Sequence, residues 1–473
     1  QGLPDPNRPY LNLASPSQQT SSGSATDYSL VGLFGRFNYS YAQKYLVEVT
    51  GRYDGSSRFS QILNKQWGFF PSVSAGWVIS RENFMEDVSF IDFAKLRLSY
   101  GETGNQEVGD NYPFVSTINA GTAYYFNNVL NGGSSLGNIP NEAISWETSK
   151  QSNIGVDLAV LRNRLNVTFD IYQKRVEDNL IDFPVSLAQG YTNLSTIPRN
   201  AATFVNNGWE FSATYRDKIG KFNYSITGNL SDVRTKTIDT KGRDIISGNQ
   251  VTREGYPLFA YFVFLTDGLY QQGDNFTSPS NSTRTTGAGD IKYVDTNKDG
   301  VINADDRVLI GNNFPRYDYS LNLNADYKGF DLNVFLFGVG KRDNYISGVA
   351  VQPFNAGNWF ASGLESALDR WTPTNTDAKY PRLYNGGNGN YVSSDYWLRN
   401  GAFMRVKHIT LGYTLARTIS EKLKIQQLRV YLNTVNPFTF SNYEPGFDPE
   451  ISNANGSFYP IMRTTTVGIN LKF

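Results

Sequence analysis

Cysteine is absent from this 473-residue chain, and histidine occurs once, as His408. The absence of cysteine excludes a disulfide framework, a thiolate metal site and a cysteine nucleophile. A single histidine excludes a metal site built from several histidines, and any Ser–His–Asp triad would have to use His408. A lone histidine in a strand-like segment is more typical of a structural role, so composition offers no catalytic centre of these kinds.

The chain also lacks an excess of charge and any long apolar run. Its 43 basic and 43 acidic residues balance, which gives no indication of nucleic acid or an anionic surface as partner. No run of roughly 18 apolar residues occurs, so no transmembrane helix is predicted. Transmembrane β-strands escape this test, because their lipid-facing and lumen-facing residues alternate. Residues 1–27 are polar and do not read as a signal peptide, so we expect a loop or linker preceding the first strand.

What the chain has in abundance is alternation of apolar and polar residues, in segments rich in its 30 Tyr and 31 Phe. Such a period of two is typical of β-strands with one buried face. Helical periodicity is confined to residues 361–371, within a loop. The sequence predicts an all-β protein with thirteen strands at 29–42, 44–56, 67–80, 93–104, 143–160, 164–180, 203–217, 221–236, 314–328, 330–345, 402–418, 426–440 and 464–473.

The connections between these strands alternate between short turns and long loops. Long loops without secondary structure of their own are uncommon in compact soluble domains. In outer-membrane β-barrels, short turns are periplasmic and long loops extracellular. We therefore predict an antiparallel transmembrane β-barrel, with residues 256–270 inside a long extracellular loop rather than in a strand of the barrel.

The last strand alternates strictly. Its apolar residues Val467, Ile469, Leu471 and Phe473 share one face, as expected of a strand that closes a barrel. Single-chain bacterial barrels have even numbers of strands, so thirteen strands predict at least one more before residue 1. In the chain as given, this last strand should therefore show an unpaired edge.

Several motifs in order along the chain resemble the SusC/RagA family of TonB-dependent transporters from Bacteroidetes. They include GRFNYSYAQKYLVEVTGRYDGSSRF at 35–59, WGFFPSVSAGWVIS at 67–80, LRLSYGETGNQ at 96–106, SWETSKQSNIGVDL at 145–158, NNGWEFSATY at 206–215, GDIKYVDTNKDGVINADDRVLIGNNFPRYDYSLNL at 289–323, MRVKHITLGYTL at 404–415 and LRVYLNTVNPFTF at 428–440. The motifs cover nearly the whole chain and together are highly specific.

The resemblance implies a barrel of about 22 strands with a plug domain in its lumen, of which residues 28–473 would be the C-terminal part. The plug and the TonB-binding segment would lie upstream. Family members import glycans, or oligopeptides in the alternative case, across the outer membrane. They work with a SusD-like lipoprotein lid and draw energy from TonB.

The sharpest local motif is DTNKDGVINADD at 295–306, which has the spacing of a calcium-binding loop. Its glycine stands at position 6, where such a loop turns sharply, although aspartate replaces the usual glutamate at position 12. The alternative is a turn closed by its own side-chain hydrogen bonds. The oxygen ligands would come from the side chains of Asp295, Asn297, Asp299, Asn303 and Asp306 and the backbone of Val301.

A second set consists of aromatic residues in the long loops, beside amides and carboxylates that could bind sugars or peptides. For each residue alone, packing between loops is the alternative. As a set, we predict that they form a substrate- or lid-facing surface: Tyr112, Phe114, Tyr124, Tyr125, Phe126, Trp359, Phe360, Tyr391, Tyr396, Trp397, Phe458 and Tyr459.

Two further sets follow from the barrel geometry. Aromatic residues near the short turns are predicted to form an interfacial girdle. The alternative for each is packing against lumen residues, which its position in the alternation decides. Arginine facing lipid costs roughly 2–4 kcal/mol at the midplane, so arginines within strands should face the lumen and contact the plug. The girdle residues are Tyr39, Tyr41, Tyr45, Tyr172, Tyr224, Tyr327, Phe330 and Tyr413, and the arginines are Arg52, Arg97, Arg405 and Arg429.

Two other classes of function compete with transport. An extracellular β-rich binding or adhesion protein with calcium-stabilised loops would bury both faces of its strands, whereas a barrel exposes an apolar band. A glycan-cleaving enzyme needs two carboxylates at a defined separation. No such pair stands out, so we do not expect an enzyme.

Overall fold

In this computed structural model, the residues described are 25–473 except 127, 138, 185–195, 349–364, 385–388, 423 and 452–457. Most of the predicted N-terminal linker, residues 1–24, therefore lies outside them. Residues 25–29 precede the first strand and have no regular secondary structure.

Thirteen antiparallel strands form one sheet in which each strand pairs with its neighbours in the chain. All thirteen predicted strands are confirmed, with ends within four residues of the prediction except for the seventh strand, which begins seven residues earlier. The strands are β1 Leu30–Tyr41, β2 Tyr45–Ser56, β3 Trp67–Val78, β4 Ile91–Asn105, β5 Glu147–Val160, β6 Leu165–Pro184, β7 Thr196–Ile219, β8 Phe222–Asp239, β9 Arg316–Tyr327, β10 Phe330–Lys341, β11 Phe403–Thr414, β12 Gln427–Ser441 and β13 Thr464–Lys472.

The register of pairing gathers apolar residues on one face of the sheet, here called the outer face. Val430 lies opposite Ile469, and Leu432 lies opposite Val467. Because side chains alternate along a strand, one register fixes the whole face. The outer face continues through Leu411, Leu332, Leu323, Ile226, Phe211, Phe169, Val156, Leu96, Trp77, Val47 and Tyr39.

No second layer covers the outer face in the described part of the chain. Val467 and Ile469 are 72% and 67% exposed, although an apolar surface of this extent is unfavourable in water. A soluble sandwich would bury these side chains. The arrangement therefore argues against the soluble adhesion protein and for a sheet that contacts lipid.

The sheet is open, with β1 and β13 at its two edges. Within the described ranges, β13 pairs only with β12, and β1 pairs only with β2. The predicted unpaired edge of the last strand is thus confirmed.

The short connections lie together at one end of the sheet. Lys328 and Gly329 connect β9 to β10 with φ of 46° and 92°, the left-handed conformation of tight hairpin turns. A Cβ at position 329 would lie 2.7 Å from the carbonyl oxygen of Thr414, so glycine is required there.

The strand predicted to reach residue 418 ends earlier, because the short helix α1, Arg417–Lys422, occupies the connection to β12. Two 3-10 helices, Ile79–Arg81 and Asn83–Met85, lie between β3 and β4.

Aromatic residues of the outer face cluster beside these turns. The rings of Tyr41 and Tyr45 are stacked with centroids 6.4 Å apart, and those of Phe330 and Tyr413 are 4.7 Å apart. This arrangement is that of an interfacial girdle. Tyr172 was predicted wrongly: it lies on the opposite face of β6 and packs over Gly208, where a Cβ would be 2.4 Å from its ring.

The long connections at the other end contain small sheets of their own. The predicted exclusion of 256–270 from the main sheet is confirmed, since Ala260–Val263 and Thr266–Leu269 pair within the loops. Residues 361–364 lie outside the described ranges, and the rest of the predicted helix begins with a short 3-10 turn, Glu365–Leu368. One small sheet has four strands, Ile245–Ser247, Gln250–Thr252, Ala260–Val263 and Val308–Asn312. Three others have two strands each: Thr266–Leu269 with Ile291–Tyr293, Asp343–Tyr345 with Leu398–Asn400, and Ile118–Phe126 with Val129–Leu136. Two further 3-10 helices are Ala304–Asp306 and Asp395–Trp397.

These loops share a buried core, here called the loop cluster. Its side chains come from three connections that are far apart in the chain, so the loops form one packed body at this end of the sheet. A smaller core of Phe59, Val108 and Ile144 lies under the first loops. The loop cluster consists of Phe264, Ile291, Tyr293, Ile302, Ile346, Tyr380, Val392, Trp397 and Tyr443.

Candidate functional site

The face of the sheet opposite the outer face, here called the inner face, carries paired charges. Arg97 on β4 donates to Asp157 at 2.8 and 3.0 Å and to Asp170 at 3.0 and 2.9 Å. Asn153 also donates to Asp170 at 3.0 Å. Two bidentate contacts of this kind hold a guanidinium in a fixed plane, so the charges tie β4, β5 and β6 together.

The other strand arginines are paired in the same way. Arg52 donates to Asp54 at 2.9 Å, and Arg429 on β12 donates to Asp331 on β10 at 2.9 Å. The prediction that they avoid the outer face is confirmed by the register. Because each has a carboxylate partner in this chain, contact with a plug is not required to satisfy it, and that contact stays a prediction.

Arg405 is buried, with 2% of its surface exposed. It donates to Asp448 at 2.6 Å, to Glu450 at 2.5 Å and to Thr439 at 2.8 Å. Asp448 and Glu450 belong to the last long loop, so this arginine fixes that loop against β11. Removing both carboxylates would leave a buried charge uncompensated.

From β7 to β12, amides and hydroxyls line much of the inner face. Asn333 donates to Asn322 at 2.8 Å and to Asn324 at 2.6 Å. His408 also bonds Asn333 and packs beside the ring of Phe335, which fits the structural role expected for the only histidine. The pattern continues in Thr410 with Asn433, Asn229 with Ser320 and Thr214 with Thr227.

Two buried carboxylates organise the loop cluster. The first, Asp290, is 4% exposed and accepts from Arg382 at 2.8 and 2.6 Å and from Asn390 at 3.0 Å. The Tyr384 hydroxyl and the Gly287 backbone N–H also donate to it, at 2.5 and 2.8 Å. This set of donors joins two loops about a hundred residues apart.

The second carboxylate is Glu444, which is 2% exposed. It accepts from Arg399 at 2.6 Å, from Lys379 at 3.3 Å and from the hydroxyl of Tyr380. Burial acts to raise its pKa, but the hydrogen bonds from Tyr380 and Arg399 outweigh burial and lower it. Glu444 is therefore ionised at neutral pH and links the last loop to the preceding one.

The predicted calcium loop, 295–306, is held by hydrogen bonds to its own side chains. Asp295 accepts from the backbone N–H of Gly300 at 2.8 Å. Asn297 donates to Asp299 at 3.1 Å and accepts from its backbone N–H at 2.9 Å. These bonds bring the side chains at positions 1, 3 and 5 together, in the way a metal loop requires and a self-closed turn also permits.

Asp306 joins the two ends of the loop 295–306 through hydrogen bonds. Its side chain is fully buried and accepts from the backbone N–H groups of Thr296 at 2.8 Å and Asn303 at 2.9 Å. Burial acts to raise its pKa, but these hydrogen bonds lower it, so the carboxylate is charged. Ile302, in the same loop, is 2% exposed and belongs to the loop cluster, which anchors the loop 295–306.

The donor set suits calcium, because a carboxylate oxygen that accepts one hydrogen bond keeps a second lone pair. In the described part of the chain, no three His, Cys, Asp or Glu side chains are arranged to hold a metal by themselves. A cation would therefore also need the oxygen of Asn297 or Asn303, or the backbone of Val301. Gly300 has φ of 85° and open space beside it, as position 6 demands.

Comparison with known proteins agrees with this architecture. The family model of the TonB dependent receptor-like β-barrel matches residues 1–436. The chain belongs to this family. It is an outer-membrane β-barrel of a Gram-negative bacterium, so the outer face of the receptor meets lipid and its short turns are periplasmic.

Relatives of the receptor are longer than this chain. TonB-dependent receptor P3 of Formosa agariphila is 32% identical over 472 residues, which cover 94% of this chain and 45% of the relative. TonB-dependent receptor SusC of Bacteroides thetaiotaomicron is 31% identical over 471 residues, covering 95% and 44%. The chain thus spans less than half the length of these two relatives.

Among solved structures, the RagAB peptide transporter has the same fold. It superposes with a TM-score of 0.79 at 22% identity and covers 98% of this chain and 49% of that chain. Within the described ranges of the receptor, no helix is long and apolar enough to cross a membrane.

Some of the aromatic residues predicted to face substrate or lid are buried, and others are exposed. Trp397 is 1% exposed in the loop cluster, so its prediction as a binding residue is wrong. Tyr391 and Tyr396 pack against Trp397 with ring centroids 6.0 and 5.2 Å away. Packing, the alternative reading, explains these three residues.

Other members of the set remain accessible. Tyr459 is 81% exposed and Tyr112 is 40% exposed, with Phe114 in edge contact at 6.2 Å. Phe458 packs against Phe447 at 6.0 Å. Contact of these residues with substrate or lid stays a prediction. Trp359 and Phe360, and the side chains of Tyr124, Tyr125 and Phe126, lie outside the described residues.

Sequence reasoning missed the organising roles of Asp290 and Glu444. Both are single carboxylates within three residues of a tyrosine, in GDIKY and NYEPG. A charged residue inside an otherwise apolar and aromatic loop segment is a weak signal of a buried ion pair. Its partners lie too far along the chain for spacing to identify them.

Proposed function

We propose that the receptor imports oligosaccharides across the outer membrane, with this chain as the C-terminal part of its barrel. The observation that carries the proposal is the amide- and hydroxyl-lined inner face of β7 to β12. Neutral donors and acceptors can exchange hydrogen bonds with sugar hydroxyls. A fixed charge would instead hold its own hydration shell or retain one substrate group.

The partners follow from the same proposal. A SusD-like lipoprotein would cover the extracellular loops, and TonB would act through the part of the receptor that precedes this chain. The loop cluster supports this role because it presents one packed surface rather than separate mobile loops. Tyr112 and Tyr459 are the exposed aromatic residues that we expect at this surface.

Import of oligopeptides is the second candidate. Its support is the likeness in fold to the RagAB peptide transporter. Amides and hydroxyls also exchange hydrogen bonds with peptide backbones. The two candidates differ in which solute the purified receptor retains.

The full-length receptor, extracted in detergent with its native lid, should retain neutral oligosaccharides from a mixed pool of oligosaccharides and oligopeptides. Mass spectrometry of the retained ligands is the measurement. A matched pool of acidic oligosaccharides serves as control, because the neutral amides and hydroxyls of the wall have no charge with which to favour it. Retention of peptides alone would reject the oligosaccharide proposal and support the second candidate.

We further propose that calcium binds the loop 295–306 and stabilises it against the loop cluster. Calorimetry of the chelator-treated receptor should show one site with Kd of about 10⁻⁴–10⁻³ M, the range of extracellular modules. Asp299→Asn should abolish the binding heat because it removes a charged ligand. Asp305→Asn, which changes the same charge at an exposed position of the loop, should leave it intact. Equal loss in both variants, or no heat in the parent, would contradict the proposal.

A further inference from the structure

The connection between β3 and β4 is long for the periplasmic end of the sheet. Residues 79–90, with the sequence ISRENFMEDVSF, are here called the rim segment. It contains the two 3-10 helices Ile79–Arg81 and Asn83–Met85 in place of a tight turn. A two-residue hairpin would suffice to join antiparallel strands, so joining β3 to β4 does not explain its length.

One carboxylate fixes the rim segment to the outer side of the sheet. Glu82 accepts from the hydroxyl of Tyr45 at 2.7 Å, from the indole N–H of Trp77 at 3.0 Å and from Lys44 at 3.1 Å. Tyr45 and Trp77 lie opposite each other in the sheet and belong to the outer face. The segment is thus fastened beside the aromatic girdle and not beneath the lumen.

This attachment persists at any pH the outer membrane meets. The hydrogen bonds from Tyr45, Trp77 and Lys44 lower the pKa of Glu82 to about 2. The carboxylate therefore stays charged and keeps accepting from all three donors.

The rim segment has two large apolar side chains that are mostly exposed. Phe84 and Phe90 are 65% and 66% exposed, in the segment that Glu82 fastens beside Tyr45 and Trp77. Exposed aromatic side chains next to an apolar surface are typical of interfacial anchors. Their exposure continues the outer face, which already contacts lipid.

We propose that the rim segment is a membrane anchor that lies in the inner phospholipid leaflet, with Phe84 and Phe90 inserted among the acyl chains. The exposed acidic residues Glu86 and Asp87 favour a headgroup with an ammonium, so the partner is a zwitterionic phospholipid. The anchor fixes the height of β3 and β4 in the bilayer without lengthening either strand.

Spin labels test this placement, because the chain itself has no cysteine. Phe84→Cys and Phe90→Cys are introduced into the full-length receptor, with any cysteine outside this chain replaced by serine. The receptor is reconstituted in phosphatidylethanolamine-rich vesicles, without other proteins. Both labels should be severalfold more accessible to oxygen than to a water-soluble nickel complex. The same should hold for the control Phe222→Cys, because Phe222 lies on the outer face opposite the girdle residue Tyr327. Ile62→Cys, an equally apolar and 82% exposed position in an extracellular loop, should show the reverse.

A label environment at positions 84 and 90 that matches Ile62→Cys would overturn the proposal, since lipid is then not the partner. Glu82→Gln in the labelled receptor provides the second measurement. It should increase label mobility at position 84 while Phe222→Cys remains unchanged. Unchanged mobility at position 84 would show that Glu82 does not hold the segment in place and would contradict the proposed attachment.

Discussion

Trp397→Ala is expected to destabilise the loop cluster by about 3–5 kcal/mol, as large-to-small changes at fully buried aromatic positions do. The side chain is 1% exposed and its indole N–H donates to the carbonyl oxygen of Asn390 at 3.0 Å. Its removal would leave a cavity between Tyr391 and Tyr396. Hydrogen exchange in the intact receptor should show amides of Ile291–Tyr293 exchanging more than about a hundredfold faster.

The matched control is Tyr459→Ala, because Tyr459 is 81% exposed and lies in the same group of predicted binding aromatics. It should leave hydrogen exchange in the loop cluster unchanged. Amides in the middle of β9 and β10 should keep their protection in both variants. If Trp397→Ala spared the cluster, its core would not depend on this side chain, and our explanation of Trp397 would be wrong.

Glu444→Gln should cost about 3 kcal/mol, the lower end of the range for breaking a buried ion pair. The variant leaves Arg399 without its carboxylate, while Lys379, whose side chain is half-exposed, can be solvated by water. We expect the last loop to detach from the residues around Tyr380. Limited proteolysis between 442 and 451 is the measurement, with faster cleavage as the expected result.

The control for charge loss alone is Glu421→Gln. Its ion pair with Arg417 is exposed, at 61% and 88%, so the change should stay within about 0.5 kcal/mol. Acid provides a further check. The folded pKa of Glu444 is below its ordinary value of 4.5. Its contribution to the free energy of unfolding is therefore fully present above pH 4.5 and is lost as the pH falls through the folded pKa. The parent should therefore loosen in acid, and Glu444→Gln should lack this component.

The thirteen strands could be predicted because lipid on one side and a polar lumen on the other enforce alternation. The limits of that signal are visible in β6 and β7, which extend to Pro184 and back to Thr196, well past their predicted ends. In these extensions, residues such as Asp182 and Arg199 pair in the sheet beyond the apolar band. Where neither face meets lipid, a strand need not alternate, and its sequence resembles a loop.

The loops could be predicted in composition but not in arrangement. An aromatic residue in a loop can bind a ligand or fill a core, and the sequence does not distinguish Trp397 from Tyr459. The difference arises from closure of distant segments, since Phe264 and Trp397 meet in one core across more than a hundred residues of chain. The loop 295–306 was recognisable as a candidate calcium site because all its residues lie within one short segment.

The receptor tolerates insertions differently at its two ends. Every strand pairs with its chain neighbour, and short turns occur at only one end of the sheet. Pairs such as β9–β10 are closed by two residues, so their register depends on the turn itself. The connections at the other end are already long, and doubling such a loop adds only about 0.6 kcal/mol of closure entropy. Insertions at exposed positions of the extracellular loops therefore cost little, whereas insertions in the periplasmic turns disturb strand register. Exchange of a whole extracellular loop would also remove its side chains from the loop cluster.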